Sequence, residues 1–295
     1  MNRECFNLVG SVDLIAGILL PRYITAPASH RTPDPLTSIT SLSKAYASCS
    51  RRMLNFIALM CLASAPASGQ GSRPDLDAGR LRAGSFTYRT LVDGAEAGRA
   101  LIRVHTRDDS GNYVFSNLVT GSFSQYWEAV ASATFAPVSA KLSFGEGARA
   151  RSAFELSYHG NRVTGFVIPR KEPSKRREVD ERVTEDTIDQ RIDWAAVMAL
   201  KEYVEGEEFL FHVYDPGTGN SRIRVRIGET GTTVVPAGSF EAVRVSYQVD
   251  KSSGAETYEA FVTKQAPRFL VKEKFPNGSV GELVVFAESE SDSDD

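Results

Sequence analysis

The chain has 295 residues, with 34 Lys+Arg against 37 Asp+Glu and 42% hydrophobic residues, the composition of an ordinary globular protein. A formal net charge of −3 argues against nucleic acid, whose phosphates need many cations, and against a polybasic membrane clamp. Cys5, Cys49 and Cys61 all lie in the first fifth of the chain, so the remainder holds no disulfide, cysteine zinc site or thiol nucleophile. From the N-terminus, the first feature is Arg51-Arg52 before Met53, an apolar run Leu54–Ala63 and the small-residue exit Ala65-Pro66-Ala67. This is the pattern of an export signal. Its apolar run is about half of the ~20 residues a bilayer core requires, so no transmembrane span is expected in the mature protein. Residues 53–67 read as a signal peptide cleaved near Ala67, which places the mature chain in the periplasm or outside the cell. Residues 1–52 read as a disordered extension from a start codon assigned too far upstream, and residues 68–84 as a linker.

From Ser85 the apolar residues recur with period two in runs of five to eight, separated by Gly, Asn, Asp or Pro, the signature of strands joined by tight turns. Ser85–Leu91 and Arg99–His105 flank Asp93-Gly94, a hairpin signal. Further strands are expected at Asn112–Thr120, Tyr126–Ala133, Val138–Phe144, Ala153–His159, Arg162–Ile168, Glu208–Tyr214, Arg222–Glu229, Phe240–Val249, Glu256–Thr263, Phe269–Phe275 and Val280–Phe286. With connections this short, sequence neighbours pair antiparallel. Arg170–Gln190 alternates basic and acidic residues with few apolar ones and reads as a mobile charged loop. The stretch after it, Asp193–Tyr203, is rich in helix formers and reads as a helix capped by Asp193, with Trp194, Val197, Met198 and Lys201 on one face. Residues 287–295 form an acidic tail that self-repulsion is expected to keep disordered. The fold expected for 85–286 is therefore a single all-β domain with one short helix. About a dozen strands form a strongly curved antiparallel sheet, half-barrel or barrel-like, with the helix against its concave face; the alternative is a two-sheet sandwich.

The phrase Val234-Val235-Pro236-Ala237-Gly238-Ser239-Phe240-Glu241-Ala242-Val243-Arg244-Val245 resembles a stretch of a bacterial exported family, domain of unknown function three-one-zero-eight. Phe86-Thr87-Tyr88 with Asp93–Gly98, the Asp-led helix at Asp193, Ala266–Lys272 and Gly278–Leu283 are similar to the same family in order and spacing. The chain departs from it at Phe261-Val262-Thr263, where a Trp-containing strand is usual, and in the charged insert before the helix. The resemblance implies an envelope protein of a Gram-negative bacterium, with a fold similar to lipoprotein-carrier half-barrels. It brings no catalytic residues.

No string of residues carries obvious chemistry. His105, His159 and His212 show no metal-ligand spacing. Gly145-Glu146-Gly147-Ala148-Arg149-Ala150 matches a dinucleotide fingerprint, but a strand follows where the phosphate mechanism needs a helix N-terminus. No catalytic residue, metal or cofactor is expected. Two features suit a ligand. Arg222, Arg224 and Arg226 alternate with Ile223, Val225 and Ile227, placing three guanidiniums on one strand face, fit for an anionic headgroup if that face lines the concavity. Phe115, Phe123, Tyr126, Trp127 and Phe135 are enough to line an apolar groove, although solvent and core are the ordinary places for the two sets. The expectation is a non-catalytic exported protein that binds a lipid-like or amphipathic envelope molecule in the concave face. The alternatives are a protein-interaction module of the envelope and, behind it, an unrecognised hydrolase.

Overall fold

The structure, a computed structural model, describes residues 74–288 apart from 107–109, 171 and 252–253. The expected signal peptide and upstream extension lie outside the described residues, as do residues 289–295 of the expected acidic tail, whereas residues 287–288 of that tail belong to the last strand of the sheet. Alternating side chains in residues 84–288 form one sheet in which nearly every strand pairs with its sequence neighbour. Strands β1 (Gly84–Val92), β2 (Ala95–Thr106), β3 (Tyr113–Gly121), β4 (Gln125–Ala131), β5 (Pro137–Phe144), β6 (Arg151–His159), β7 (Arg162–Val167) and β8 (Arg177–Arg182) form an antiparallel meander. A second meander runs through β10 (Glu208–Asp215), β11 (Gly219–Val235), β12 (Gly238–Lys251), β13 (Gly254–Thr263), β14 (Leu270–Lys274) and β15 (Val280–Glu288). Pairing of β15 with β1 joins the halves, and the short β9 (Ile188–Asp189) adds parallel to β10 at the far edge.

The sheet is strongly curved and its edges meet without a ladder. Across the seam, Arg177 Nη2 donates to the Pro216 carbonyl and Asn220 Nδ2 to the Arg182 carbonyl, both at 3.0 Å. Where β6 and β7 run side by side, a Cβ on Gly165 would lie 2.0 Å from the Glu155 carbonyl oxygen, and its φ is +143°, so only glycine permits this approach.

Alternation gives each strand one buried face. Phe86, Tyr88, Ile102, Phe115, Trp127, Leu142, Phe154, Val225, Val245 and Tyr258 are all buried in one cluster drawn from both halves. Inside it sits α1 (Asp193–Met198), whose six residues are buried on every side. The helix is shorter than expected and is not capped by Asp193, which is its first residue. At its end the Arg268 side chain takes the Met198 carbonyl and, beyond the helix, the Leu200 carbonyl, and Leu200 bridges to Leu76.

Two segments differ from their sequence reading. Residues 74–83, within the expected linker, pack Leu76, Ala78 and Leu81 into the core, where Arg82 N donates to the Arg268 carbonyl and Arg268 N to the Arg80 carbonyl. The expected charged loop contains β8 and β9. Its one apolar residue on β8, Val179, is buried while the rest of that strand stays exposed, as suits an edge.

Candidate functional site

The chemistry-bearing residues gather where the chain from β9 into α1 plugs the concave face. Asp189 and Arg191 are fully buried at the start of this plug. Arg191 Nε and Nη2 grip both oxygens of Asp189, and Nη1 donates to Asp215 Oδ2 at 2.7 Å. The guanidinium lies 4.5 Å from the centre of the Phe154 ring, and Tyr158 donates its hydroxyl to Asp189 Oδ2 at 2.6 Å. Burial works against the charged guanidinium, but the two carboxylates overturn it and raise its pKa. The network ties β6, β9 and β10 together, locking the seam from inside.

Asp193 behaves differently. Its Oδ1 accepts the Trp194 N–H at 2.6 Å, while Oδ2 is buried without a protein partner. Burial pushes its pKa up to about 8, and the negative Asp189 adds to the shift while the Trp194 N–H and Arg191 oppose it. Glu273, on the concave face of β14, is raised well above the usual carboxylate range by burial and by Asp193. Tyr247 and Tyr88 stand beside these groups, and burial raises both hydroxyls further. Tyr88 donates to the Leu270 carbonyl at 2.7 Å. Removing that donor in Tyr88→Phe leaves a buried carbonyl unpaired and is expected to cost about 1–2 kcal/mol, read from urea denaturation.

The C-terminal end of the plug is held by Arg268. It donates to the carbonyls of Met198 and Leu200, and its guanidinium lies 4.1 Å from the centre of the Tyr203 ring. Between the plug and the wall is a gap of about 10 Å³, bordered by Trp194 and Met198 on the helix and by Phe86, Ile102, Val104 and Leu270 on the sheet. Arg82 and Arg268 also border it. Arg82 lies 4.7 Å from the centre of the Phe286 ring and pairs with the exposed Glu288.

The sequence matches a known family, "Protein of unknown function (DUF3108)", over residues 79–284. That span is well over half of the chain. The chain belongs to the DUF3108 family. Within the DUF3108 match, the phrase around Pro236 is the β11–β12 hairpin: Ala237 N donates to the Leu283 carbonyl, and Gly238 has φ +136°. The Asp-led helix of the family resemblance is the plug itself. A search of curated proteins returns no match. Among solved structures, the chain is similar to a β-barrel-like protein of the DUF1849 family from Brucella abortus, at 10% identity and a TM-score of 0.44, covering 72% of this chain and 100% of that one. It is similar also to a protein described as exported, with a YmcC-like fold, from Bacteroides fragilis (11%, TM-score 0.35, 72% and 100%). A protein described as a lipoprotein from Parabacteroides distasonis gives 11%, a TM-score of 0.28, and 73% and 100%. None of the three TM-scores reaches 0.5, so the fold rests on this chain's own strands.

The eight residues singled out from the sequence do not converge. Arg222, Arg224 and Arg226 are exposed on the outer face of β11, with Ile223, Val225 and Ile227 turned inward. Phe115, Trp127 and Phe135 are buried inside, where Phe115 packs against Phe135 and edge-on against Trp194 of the plug. Phe123 is half-buried at the margin of the core. Tyr126 is half-buried on the opposite side of β4 from Trp127, bonded to Glu128. His105 and His159 are exposed, and His212 bonds to Asp186 at 2.8 Å. Among the described residues no group of three or more His, Cys, Asp or Glu could hold a metal ion, and no helix is long and apolar enough to cross a membrane. The plug's polar residues were missed because Asp189, Arg191 and Asp193 sit at the end of a charged run. Their one visible signal is the proximity of Arg191 to the apolar stretch Ile192–Leu200.

Proposed function

We propose that this DUF3108 chain is an exported, non-catalytic binding protein of the periplasm. It takes the apolar part of a lipid-like, amphipathic anion between the plug and the concave wall. The observation that carries the reading is the apolar gap with a guanidinium at its border. Arg82 sits over Phe286, and its carboxylate partner Glu288 is exposed and exchangeable for a ligand's anionic group. A gap of about 10 Å³ holds about one water, whereas drug-sized ligands occupy roughly 300–1,000 Å³. On this reading the described form is the closed one, and uptake requires the plug to shift. Its buried atoms without protein partners, Asp193 Oδ2 and Gln190 Oε1, favour such a shift, because unpaired buried polar groups each cost about 1–3 kcal/mol.

Displacement of a fluorescent fatty acid, with native mass spectrometry of the purified protein, tests this. Saturable binding of one probe per chain is expected. Arg82→Gln should weaken it about tenfold for the acid and leave binding of the corresponding alcohol unchanged. Absence of both displacement and a bound adduct overturns the reading.

A further inference from the structure

The outer face of β11 carries a row of arginines. Arg222, Arg224 and Arg226 project from it in a row, exposed, at every second residue. Such positions are about 6.6–6.8 Å apart. None of the three is ion-paired to a described residue; the one bond among them runs from Arg224 Nη1 to Gln248 Oε1, at 3.4 Å. Glu208 faces Arg226 in register yet makes no ion pair with it. Other described basic side chains on the outer face of this half of the sheet are ion-paired. Arg244 pairs with Glu229 and Glu259, Lys264 with Glu241, Lys272 with Glu282, and Lys274 with Glu259. In a chain that is acidic overall, three adjacent unneutralised guanidiniums in one straight row form a complementary surface for an extended anion of the same repeat.

The sequence contains that repeat. Glu288-Ser289-Glu290-Ser291-Asp292-Ser293-Asp294 places a carboxylate at every second position, separated by small serines. Laid out as a strand, it presents its carboxylates on one face at the spacing of the arginines. We propose that the row Arg222, Arg224, Arg226 is a docking surface for the alternating acidic segment that follows β15 in a second copy of this chain. The segment pairs Glu290, Asp292 and Asp294 with the three guanidiniums.

Docking of Glu290, Asp292 and Asp294 together on the row of their own chain is excluded by reach. Strand β15 stands four strands from β11 in the sheet order, about 19 Å at 4.7–4.9 Å per step. Glu290 is two residues past the end of β15, a span of at most about 7 Å. The contact therefore runs from one molecule to the next, and reciprocal exchange of the two segments closes a two-fold dimer. Exposed charges carry it, so it is weak and strongly screened by salt.

The test uses a labelled peptide of sequence Ser-Glu-Ser-Asp-Ser-Asp-Asp and the intact protein, read by fluorescence anisotropy, together with sedimentation of the protein alone. Saturable binding is expected at 20 mM salt and a loss of at least tenfold at 300 mM. The same loss is expected in Arg222→Gln/Arg224→Gln/Arg226→Gln, whose circular dichroism should match the parent because all three side chains are in solvent. A peptide with the same residues but the acids in one block should bind several-fold more weakly. Self-association at low salt should disappear when residues 289–295 are removed. Peptide binding that survives the triple substitution overturns the proposal. So does self-association that survives the truncation, or arginine-dependent binding to vesicles of anionic phospholipid with no binding of the peptide.

Discussion

Arg191→Ala is expected to lower the stability of the protein by about 3–5 kcal/mol, the cost of leaving a buried carboxylate without its counter-charge. Asp189 is fully buried and would keep only the Tyr158 hydroxyl and the backbone N–H of residue 191 as donors, while Asp215 would lose its charged partner and keep the Gly217 N–H. The loss should appear as a lower midpoint in urea denaturation. The companion variant Arg191→Met/Asp189→Asn/Asp215→Asn removes all three charges together and should recover much of it, because neutral groups of similar size avoid the desolvation cost. A loss below about 1 kcal/mol for Arg191→Ala would mean that the seam does not depend on this network.

Asp193→Asn should have the opposite sign and a strong dependence on pH. The folded-state pKa of Asp193 is raised from 3.8 to about 8. Below about pH 4 the carboxyl is neutral in both states and costs nothing. As pH rises, the unfolded chain ionises and the folded one does not, so stability falls by about 1.4 kcal/mol per unit. The loss levels off near the folded pKa, where the buried group ionises as well. Glu273, raised by burial and by Asp193, adds a loss of the same sign. Replacing the carboxylate with an amide keeps the oxygen that accepts the Trp194 N–H and removes the titration. The variant should therefore melt close to the parent at pH 4 and well above it at pH 8, with a gain of several kcal/mol at the higher pH. An equal gap at both values would contradict the assignment.

Most of the sheet was legible because burial on one face writes itself as period two. In β6, Phe154, Leu156 and Tyr158 are buried beside exposed Glu155, Ser157 and His159. In β11, Ile223, Val225 and Ile227 alternate with arginines. Where that rule weakens, the reading stopped. Strand β11 was expected to end at Glu229 but continues to Val235, because a register shift between Ile227 and Thr230 carries it past polar residues. Strand β8 turns one apolar side chain inward and spends the rest on solvent, which in sequence is indistinguishable from a charged loop. The plug was readable as a helix from its composition, but not as a helix buried on all sides. Its alanines Ala195, Ala196 and Ala199 are fully buried, and alanine carries no polarity signal to separate a covered face from an open one. The Arg191 network was not legible either, since its partner Asp215 lies 24 residues away. The period-two argument correctly put the three arginines on one face, and only the fold decides that this face is the outer one.

In the proposed function the plug is the movable wall of a site closed in the free protein. Hydrogen exchange at the amides of residues 193–200, with and without a saturating fatty acid, measures this directly. Slow exchange without the fatty acid and clearly faster exchange with it, alongside unchanged protection in β12 and β13, is the predicted result. Equal protection of the plug in both samples, with the fatty acid demonstrably bound, would contradict it.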